Sequence, residues 1–588
     1  MYPGTIFNWH DNSGFDISTT SGSNDSAPLL MQVFSSDKGT EDLIEISGSD
    51  FDAMYGTMSF SRHGQSAIQA KAIIDAGGRL LAKRVVAPDS TLANVVLCAK
   101  VTSTTPTPNE GEEEVTPSVK VTWESKTIEN CKTFDQVLSA AKALLDINNG
   151  VYPIFVYTDN GRGVSGKAVR LTPDYATSKT IGSTFYTLNV YEGSSVIEQI
   201  TITVDPDIIY NNVAYGLDEL SNIQISGKVI EGAYKSYVEK LADELAVDAS
   251  VLTNYDLVYG YTNKGTKLEG FELDPAGVDL DAEIGVALTS GSNGSFGTSP
   301  VNTTAWTNAI KEVFENTTGD YDAVYDVDRY KIAAICDANY PDTVKNAIFD
   351  FVEFRQDCVF LRDYGTGLTT FAAINSRYID FREKRNYFTA DYSTSYMIAD
   401  PQTKKAIEVT CTYDIAQLLV NHIENNPYAP LAGVSNGFIL KNAIKGTISF
   451  IPVRTPKSNQ KEAMDDIRVN YAIFEDNDCV VQSNYTCQEA NTQLSYLCNV
   501  VAIQRVLRAV RSACPRQRYS LSTSTDLQSY ASAVNSVLSN YTSNFATLRF
   551  SYTQDDLRAS QKIFYAAIEF AFLGWAQTEI FEIYAINE

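Results

Sequence analysis

The chain of 588 residues is 44% hydrophobic and 20% charged, a globular balance that excludes a disordered chain, and its length favours several domains over one. A formal net charge of −26 disfavours nucleic acid and anionic lipid as partners. Nine cysteines without a CxxC pair, and only three histidines (His10, His63 and His422) far apart in the chain, point to neither a disulfide framework nor a His-based metal site.

In chain order, the first segment reads Tyr2-Pro3-Gly4-Thr5-Ile6-Phe7-Asn8-Trp9 and continues as a Ser/Gly/Asn/Asp tract to residue 26, a strand on a flexible tether. It has no basic start followed by an apolar run, so no signal peptide is expected. No apolar stretch approaches the roughly 18 residues that span a bilayer, and a soluble, cytoplasmically made protein is expected. Residues 27–99 read as β–α–β: a strand at 29–34, a short helix opening at Ser49 and Asp52 with capping-box-like spacing, a helix at 65–76 stopped by Gly77-Gly78, and a strand at 80–86.

A Thr/Pro-rich stretch at 102–117 with the acidic residues Glu110 to Glu114 reads as a surface linker. Residues 100–215 read as an inserted β-rich domain, with strands at 151–157, 167–171, 185–191 and 198–204 and a helix at 134–145. Residues 216–425 form an α/β core domain. Strands at 284–288, 331–336 and 358–361 alternate with helices at 305–315 and 341–355, which implies a parallel or mixed sheet covered by helices. The block 426–588 holds helices at 490–513 and 526–538. Residues 563–572 are read as a strand that pairs across Gly574 with the last segment, Thr578-Glu579-Ile580-Phe581-Glu582-Ile583-Tyr584-Ala585-Ile586. Both chain ends are thus short, β-branched and aromatic. Such strands need a partner sheet, their own or a neighbour's, and this predicts a polymer-forming protein.

The chemistry-bearing motifs are sparse. Gly161-Arg162-Gly163-Val164-Ser165-Gly166-Lys167 fits G-x-x-x-x-G-K, but Ala168 stands where Ser or Thr would hold magnesium and a strand follows where a helix N-terminus is needed. A β-turn is the expectation. Residues 290–298 read as a mobile Gly/Ser loop, and Asp320, Asp322, Asp326 and Asp328 as a solvated acidic loop lacking the calcium-loop pattern. No G-x-S-x-G elbow occurs. No catalytic, metal or cofactor residue is assigned. Arg505, Arg508 and Arg511 recur at three-residue spacing along one helix face. They are either tied within the chain or contact an acidic partner surface, a neighbouring subunit or a central tube.

These residues resemble the contractile-tail sheath proteins of phages, tailocins and related injection machines. Tyr2 to Phe7 resembles the family's opening "PGVY"-like segment. Phe51 to Gly56, Gly77-Gly78 and Leu81-Ala82-Lys83-Arg84-Val85 resemble its "F…FG … NGG … vyvvRV" stretch. Gly161 to Lys167 is similar to its "GxxGN" turn with Lys167 in place of Asn, and Ser290 to Gly294 to its "GGxDG" loop with Asn293 in place of Asp. Asn426 to Gly433 resembles its "apAG" segment, Arg505 its arginine-bearing helix, and Thr578 to Phe581 its closing "AEFI" strand.

The resemblance implies a multidomain α+β and α/β fold: mixed sheets covered by helices in the core, a β-rich inserted outer domain, and terminal strands exchanged between subunits. Thr5, Ile6, Phe7, Ile580, Phe581, Ile583, Tyr584 and Ile586 would make the inter-subunit strands, and Arg505, Arg508 and Arg511 the tube or neighbour contact. It implies a non-enzymatic subunit of a helical homo-oligomer around an inner tail tube. Its partners would be tube, baseplate and terminator proteins, with no nucleic acid and no membrane insertion. The expected location is a virion tail assembled in the host bacterial cytoplasm. A baseplate or terminator component, or a hydrolase on an α/β scaffold, are the alternatives.

Overall fold

A computed structural model describes residues 29–573 apart from 49, 105–117, 182, 205–208, 211–212, 215, 218–223, 263, 275–285, 299, 318–321, 328, 426–427, 476–477, 514–523, 553–556, 559–562 and 565. The runs Leu-Leu-Met-Gln-Val-Phe at 29–34 and Ile-Ala-Ala-Ile-Cys at 332–336 carry apolar residues on both faces, the pattern of a strand covered on both sides. Both are buried along their whole length. They lie side by side at the centre of a seven-stranded sheet. Its order is Leu43–Ile46, Arg79–Arg84, Leu29–Phe34, Ile332–Cys336, Val359–Asp363, Thr389–Tyr392 and Val469–Asn470. Six strands are parallel; Leu43–Ile46 pairs antiparallel with Arg79–Arg84. Helices Phe60–Asp75, Thr304–Glu315, Asp342–Arg355, Thr412–Asn425 and the start of Leu497–Ala513 supply the rest of this core through Ile68, Trp306, Ile348, Leu419 and Val501.

Helix Phe60–Asp75 begins before the expected residue 65 because a first turn, started at Ser59, is joined to it across a kink at Gly64 (φ 72°). Its end follows the expectation. Gly77 N–H donates to Ile74 O and Gly78 N–H to Ile73 O, both at 2.9 Å, which satisfies the last carbonyls with Gly77 at φ 84°. Helix Leu497–Ala513 starts later than the expected residue 490. Thr492 instead caps the short turn Gln493–Ser495, accepting from Leu494 N–H at 3.2 Å.

The β-rich body has a five-stranded sheet, ordered Ile225–Val229, Val151–Asp159, Asn94–Thr104, Ser118–Lys126 and Phe271–Asp274. Its second sheet is ordered Val286–Ala287, Lys167–Pro173, Phe185–Glu192 and Ser195–Thr203. The two share one core around Trp123, Phe155, Tyr157, Tyr186, Leu188 and Tyr237. That core does not stop at 215, the expected limit of the insert. Helix Glu231–Leu245 and three later strands belong to it, because alternating apolar residues at 225–229 have their only described partner in Val151–Asp159. The strand expected at 284–288 likewise joins this body, through Val286 and Ala287.

Inside, Asp256 accepts from Tyr186 Oη (2.5 Å) and Val258 N–H (2.9 Å), while its Oδ2 has no partner among the described residues. The body leaves and rejoins the core side by side. Thr91 N–H donates to Ser292 O (3.0 Å) and Asn94 N–H to Thr289 O (2.8 Å). Among the described residues no helix is long and apolar enough to cross a membrane.

Candidate functional site

The strands assigned to subunit exchange, Thr5, Ile6, Phe7, Ile580, Phe581, Ile583, Tyr584 and Ile586, lie outside the described residues. What is described nearby in the chain is a two-stranded ribbon. Phe545–Ser551 and Ala567–Phe572 form an antiparallel ribbon, Phe550 opposite Ile568 and Leu548 opposite Phe570. Residues 567–572 are thus strand, as expected, but their described partner is 545–551 and not the segment after Gly574. The ribbon rests on helices Leu497–Ala513 and Ser524–Ser539 through Phe545, Ile568, Val506, Val510, Tyr530 and Val534. Phe545 and Phe572 stack at 4.6 Å between ring centroids, and Arg549 pairs with Glu569 across the strands. Among the described residues neither strand has a second neighbour. Two strands alone are marginal in water, and strand edges are where a further strand can add; here Phe572 N–H is already taken by Gln493 Oε1 at 3.1 Å.

The arginine stripe is turned inward. Arg505 Nη1 donates to Ile423 O and Arg508 Nη1 to Asp357 O, both at 3.2 Å. Arg511 is buried, 3.7 Å from the Asp357 carboxylate. For Arg511 the tube or neighbour contact is corrected to an intrachain one. Asp357, already bidentate with Arg355, draws it in, and a covered guanidinium does not reach a second chain. Arg505 and Arg508 stay half-buried.

The two glycine-rich turns meet at the seam between the core and the β-rich body. A Cβ on Gly161 would fall 1.8 Å from Gly39 O, and one on Gly291 would fall 2.0 Å from Gly163 O, so only glycine admits these backbone approaches. Buried Arg84 ties the seam, donating to Gly39 O (2.9 Å), Ser36 O (3.2 Å) and Arg162 O (2.7 Å). Burial pulls its pKa down against the opposing fields of Glu41 and Asp159. Arg162 in turn grips Glu41 at 3.0 and 2.5 Å.

Lys167 is no phosphate ligand. It is buried, with Nζ 2.8 Å from Asp159 Oδ1 and 2.7 Å from Gln224 O, and opens a strand. The loop at 290–298, expected to be mobile, is pinned: Ser295 N–H donates to Asp89 Oδ1 (2.8 Å) and Asn293 Oδ1 accepts from Val164 N–H (3.3 Å). Of the acidic loop, Asp326 accepts from Arg329 N–H at 3.1 Å, Asp322 opens a short helix, and Asp320 and Asp328 lie outside the described residues.

An α/β enzyme would bind its ligand beyond the strand ends at the switch point, between Leu29–Phe34 and Ile332–Cys336. That crevice is filled. Gln69 Nε2 donates to Gln32 Oε1 and Asp337 O, both at 3.0 Å, and Gln32 Nε2 donates to Tyr340 Oη at 2.6 Å. Gln32, Gln69, Asp337 and Tyr340 are at most 2% exposed. Beside them Lys345 Nζ sits 2.8 Å from Asp337 and 2.5 Å from Asp363. Burial and the adjacent Asp363 push the Asp337 carboxyl up to about 7. Burial alone would lower the Lys345 pKa, but the two carboxylates outweigh it and raise it. The described histidines are internal as well: His63 Nε2 lies 3.2 Å from Asp37, and His422, pushed down to about 4 by burial, lies 3.0 Å from Ala429 O.

No family model and no curated protein matches the chain. Among solved structures it is similar to the sheath tail protein of Desulfitobacterium hafniense at 10% identity, over 94% of both chains, with a TM-score of 0.43. It is similar to a sheath tail protein of Listeria innocua at 10% identity, over 91% of this chain and 90% of that one, with a TM-score of 0.48. A third likeness is to the contracted sheath complex of an extracellular contractile injection system, at 15% identity over 43% of this chain and 71% of that one, with a TM-score of 0.34. At these scores each is a likeness of chain path and no more.

Proposed function

We propose that this chain is a structural subunit of a contractile tail sheath. It polymerises helically around an inner tube and contracts to drive that tube through a target cell envelope. The observation that carries the reading is the C-terminal ribbon: two aromatic strands backed by helices, without further strand neighbours among the described residues. In the sequence, residues 2–9 and 578–586 are β-branched and aromatic segments that would need a partner sheet. Arms donated to neighbours' ribbons would keep subunits joined while rings rotate and slide between two packings. Arg505 and Arg508 would add the neighbour or tube contact. Tube, baseplate and terminator proteins would be partners, and a tail assembled in a bacterial cytoplasm the location. The filled switch-point crevice speaks against the hydrolase alternative.

Electron microscopy of the purified protein and of a variant lacking residues 580–588 tests this. The full chain should form hollow tubes with a helical lattice, and the truncated chain should stay folded without polymerising. Tubes from the truncated chain would remove the exchange role of the C-terminal arm. Closed rings from the full chain would favour a baseplate or terminator subunit.

A further inference from the structure

One long stretch departs from the acidity of the whole. Residues 428–461 contain no Asp or Glu, yet carry Lys441, Lys445, Arg454, Lys457 and Lys461 in a chain of formal net charge −26. All five are exposed. Some basic side chains elsewhere are tied in ion pairs, as in Lys240 with Glu244, Lys311 with Glu315 and Arg377 with Asp342. Lys441, Lys445, Arg454 and Lys457 form none among the described residues.

The same stretch shows apolar side chains to solvent. Ile444, Ile451 and Val453 are 40%, 36% and 49% exposed. This is not fraying, because the backbone is fixed. Ile444 N–H donates to Met397 O (2.8 Å) and Ser449 N–H to Ser395 O (2.9 Å), laying the segment along the hairpin Ser395–Ala399 and Ala406–Thr410. Val453 and Gln460 close the next turn, with Gln460 N–H to Val453 O and Val453 N–H to Gln460 Oε1, both at 3.0 Å. Glu408 on that hairpin and Glu462, held by Asn459, border the run, but its own exposed charges are all cationic, and a fixed segment that is apolar and cationic suits a partner of the opposite sign.

We propose that this acid-free face docks on the acidic surface of a second copy of the chain. Two surfaces of like sign repel, so copies of a strongly acidic protein associate where a basic face of one meets an acidic face of the next. The contact is heterologous, head to tail, and continues into a ring or a helix. It deepens the polymer reading through a surface separate from the terminal arms.

Sedimentation velocity of the full-length protein from low to physiological ionic strength tests it, with K441E/K445E/K457E compared against K179E/K264E/K267E. The second variant makes the same change of net charge on exposed lysines of the β-rich body. The first should weaken self-association about tenfold more than the second, with both melting as the wild type does. Should the reversal impair folding, K441Q/K445Q/K457Q should give a smaller loss in the same direction.

Equal weakening by both reversals, no weakening by the first, or a wild type that stays monomeric at every ionic strength would overturn the proposal. So would a first variant that loses only its binding to an acidic inner-tube protein. Tubes that survive the reversal would overturn this contact and leave the sheath reading standing. Association abolished by the reversal in a protein that makes only closed rings would do the opposite.

Discussion

The central sheet and the C-terminal ribbon are built from similarly apolar strands but treat their edges differently. The sheet ends in a four-residue antiparallel strand, Leu43–Ile46, on one side and a two-residue strand, Val469–Asn470, on the other. Short edges of this kind discourage further pairing. The ribbon ends in strands of seven and six residues, Phe545–Ser551 and Ala567–Phe572, with no further strand beside them among the described residues. The sheet also fills its crevice with its own amides and ion pairs, whereas the ribbon holds its aromatic face on two helices and has no third strand among the described residues. One region ends in short edge strands, and the other keeps its longer strands at the edge.

The sharpest way to break this comparison is to unfill the core. Lys345→Met leaves Asp337 and Asp363 buried without their counter-ion, and denaturant unfolding should show a loss of about 3–5 kcal/mol. A loss below about 1 kcal/mol would mean the ion pairs do not close the sheet.

A second, smaller effect separates the β-rich body. Burial pushes the Asp256 carboxyl up to about 6, against the hydrogen bonds from Tyr186, Val258 and Tyr259. The native state therefore holds this proton more tightly than the unfolded chain. The stabilising contribution is full below the unfolded pKa near 4 and is lost as pH rises toward 6. Asp256→Asn should be more stable than the wild type at pH 7.5 by about 1–3 kcal/mol, the gap closing toward pH 4. A gap independent of pH would assign the effect to packing.

The smallest change is expected in the ribbon. Arg549 is 68% exposed over Glu569, so Arg549→Ala should alter the stability of the free chain by less than about 0.5 kcal/mol. A large loss would mean that the ribbon is a closed unit rather than an open one.

The strands read at 29–34, 331–336 and 358–361 were legible because apolar residues lie on both their faces, although the last continues through Arg362 to Asp363, and the stop at Gly77-Gly78 because its chemistry is local. The β-rich body's extent was not. Phe271–Asp274 finds its partner in Ser118–Lys126 and Val286–Ala287 in Lys167–Pro173, pairings more than a hundred residues apart that leave no local periodicity. The pinning of the loop at 290–298 was hidden for the same reason, since Asp89 and Thr91 lie two hundred residues earlier. Spacing placed Arg505, Arg508 and Arg511 on one face, but nothing local shows that Asp357 waits beneath it. The acid-free run at 428–461 was open to a simple charge window, which a search for catalytic motifs passes over.

The paired exit and return at Thr91–Ser292 and Asn94–Thr289 make the β-rich body, seen from the core, equivalent to the tip of a hairpin. The entropy of closing that long loop is absorbed where the insert folds on itself, because its two ends already touch. Beyond the seam at Arg84, Arg162 and Gly161, the central sheet is thereby insulated from the insert's length. This is the arrangement in which an inserted module can be enlarged or replaced while the central sheet keeps its strand order.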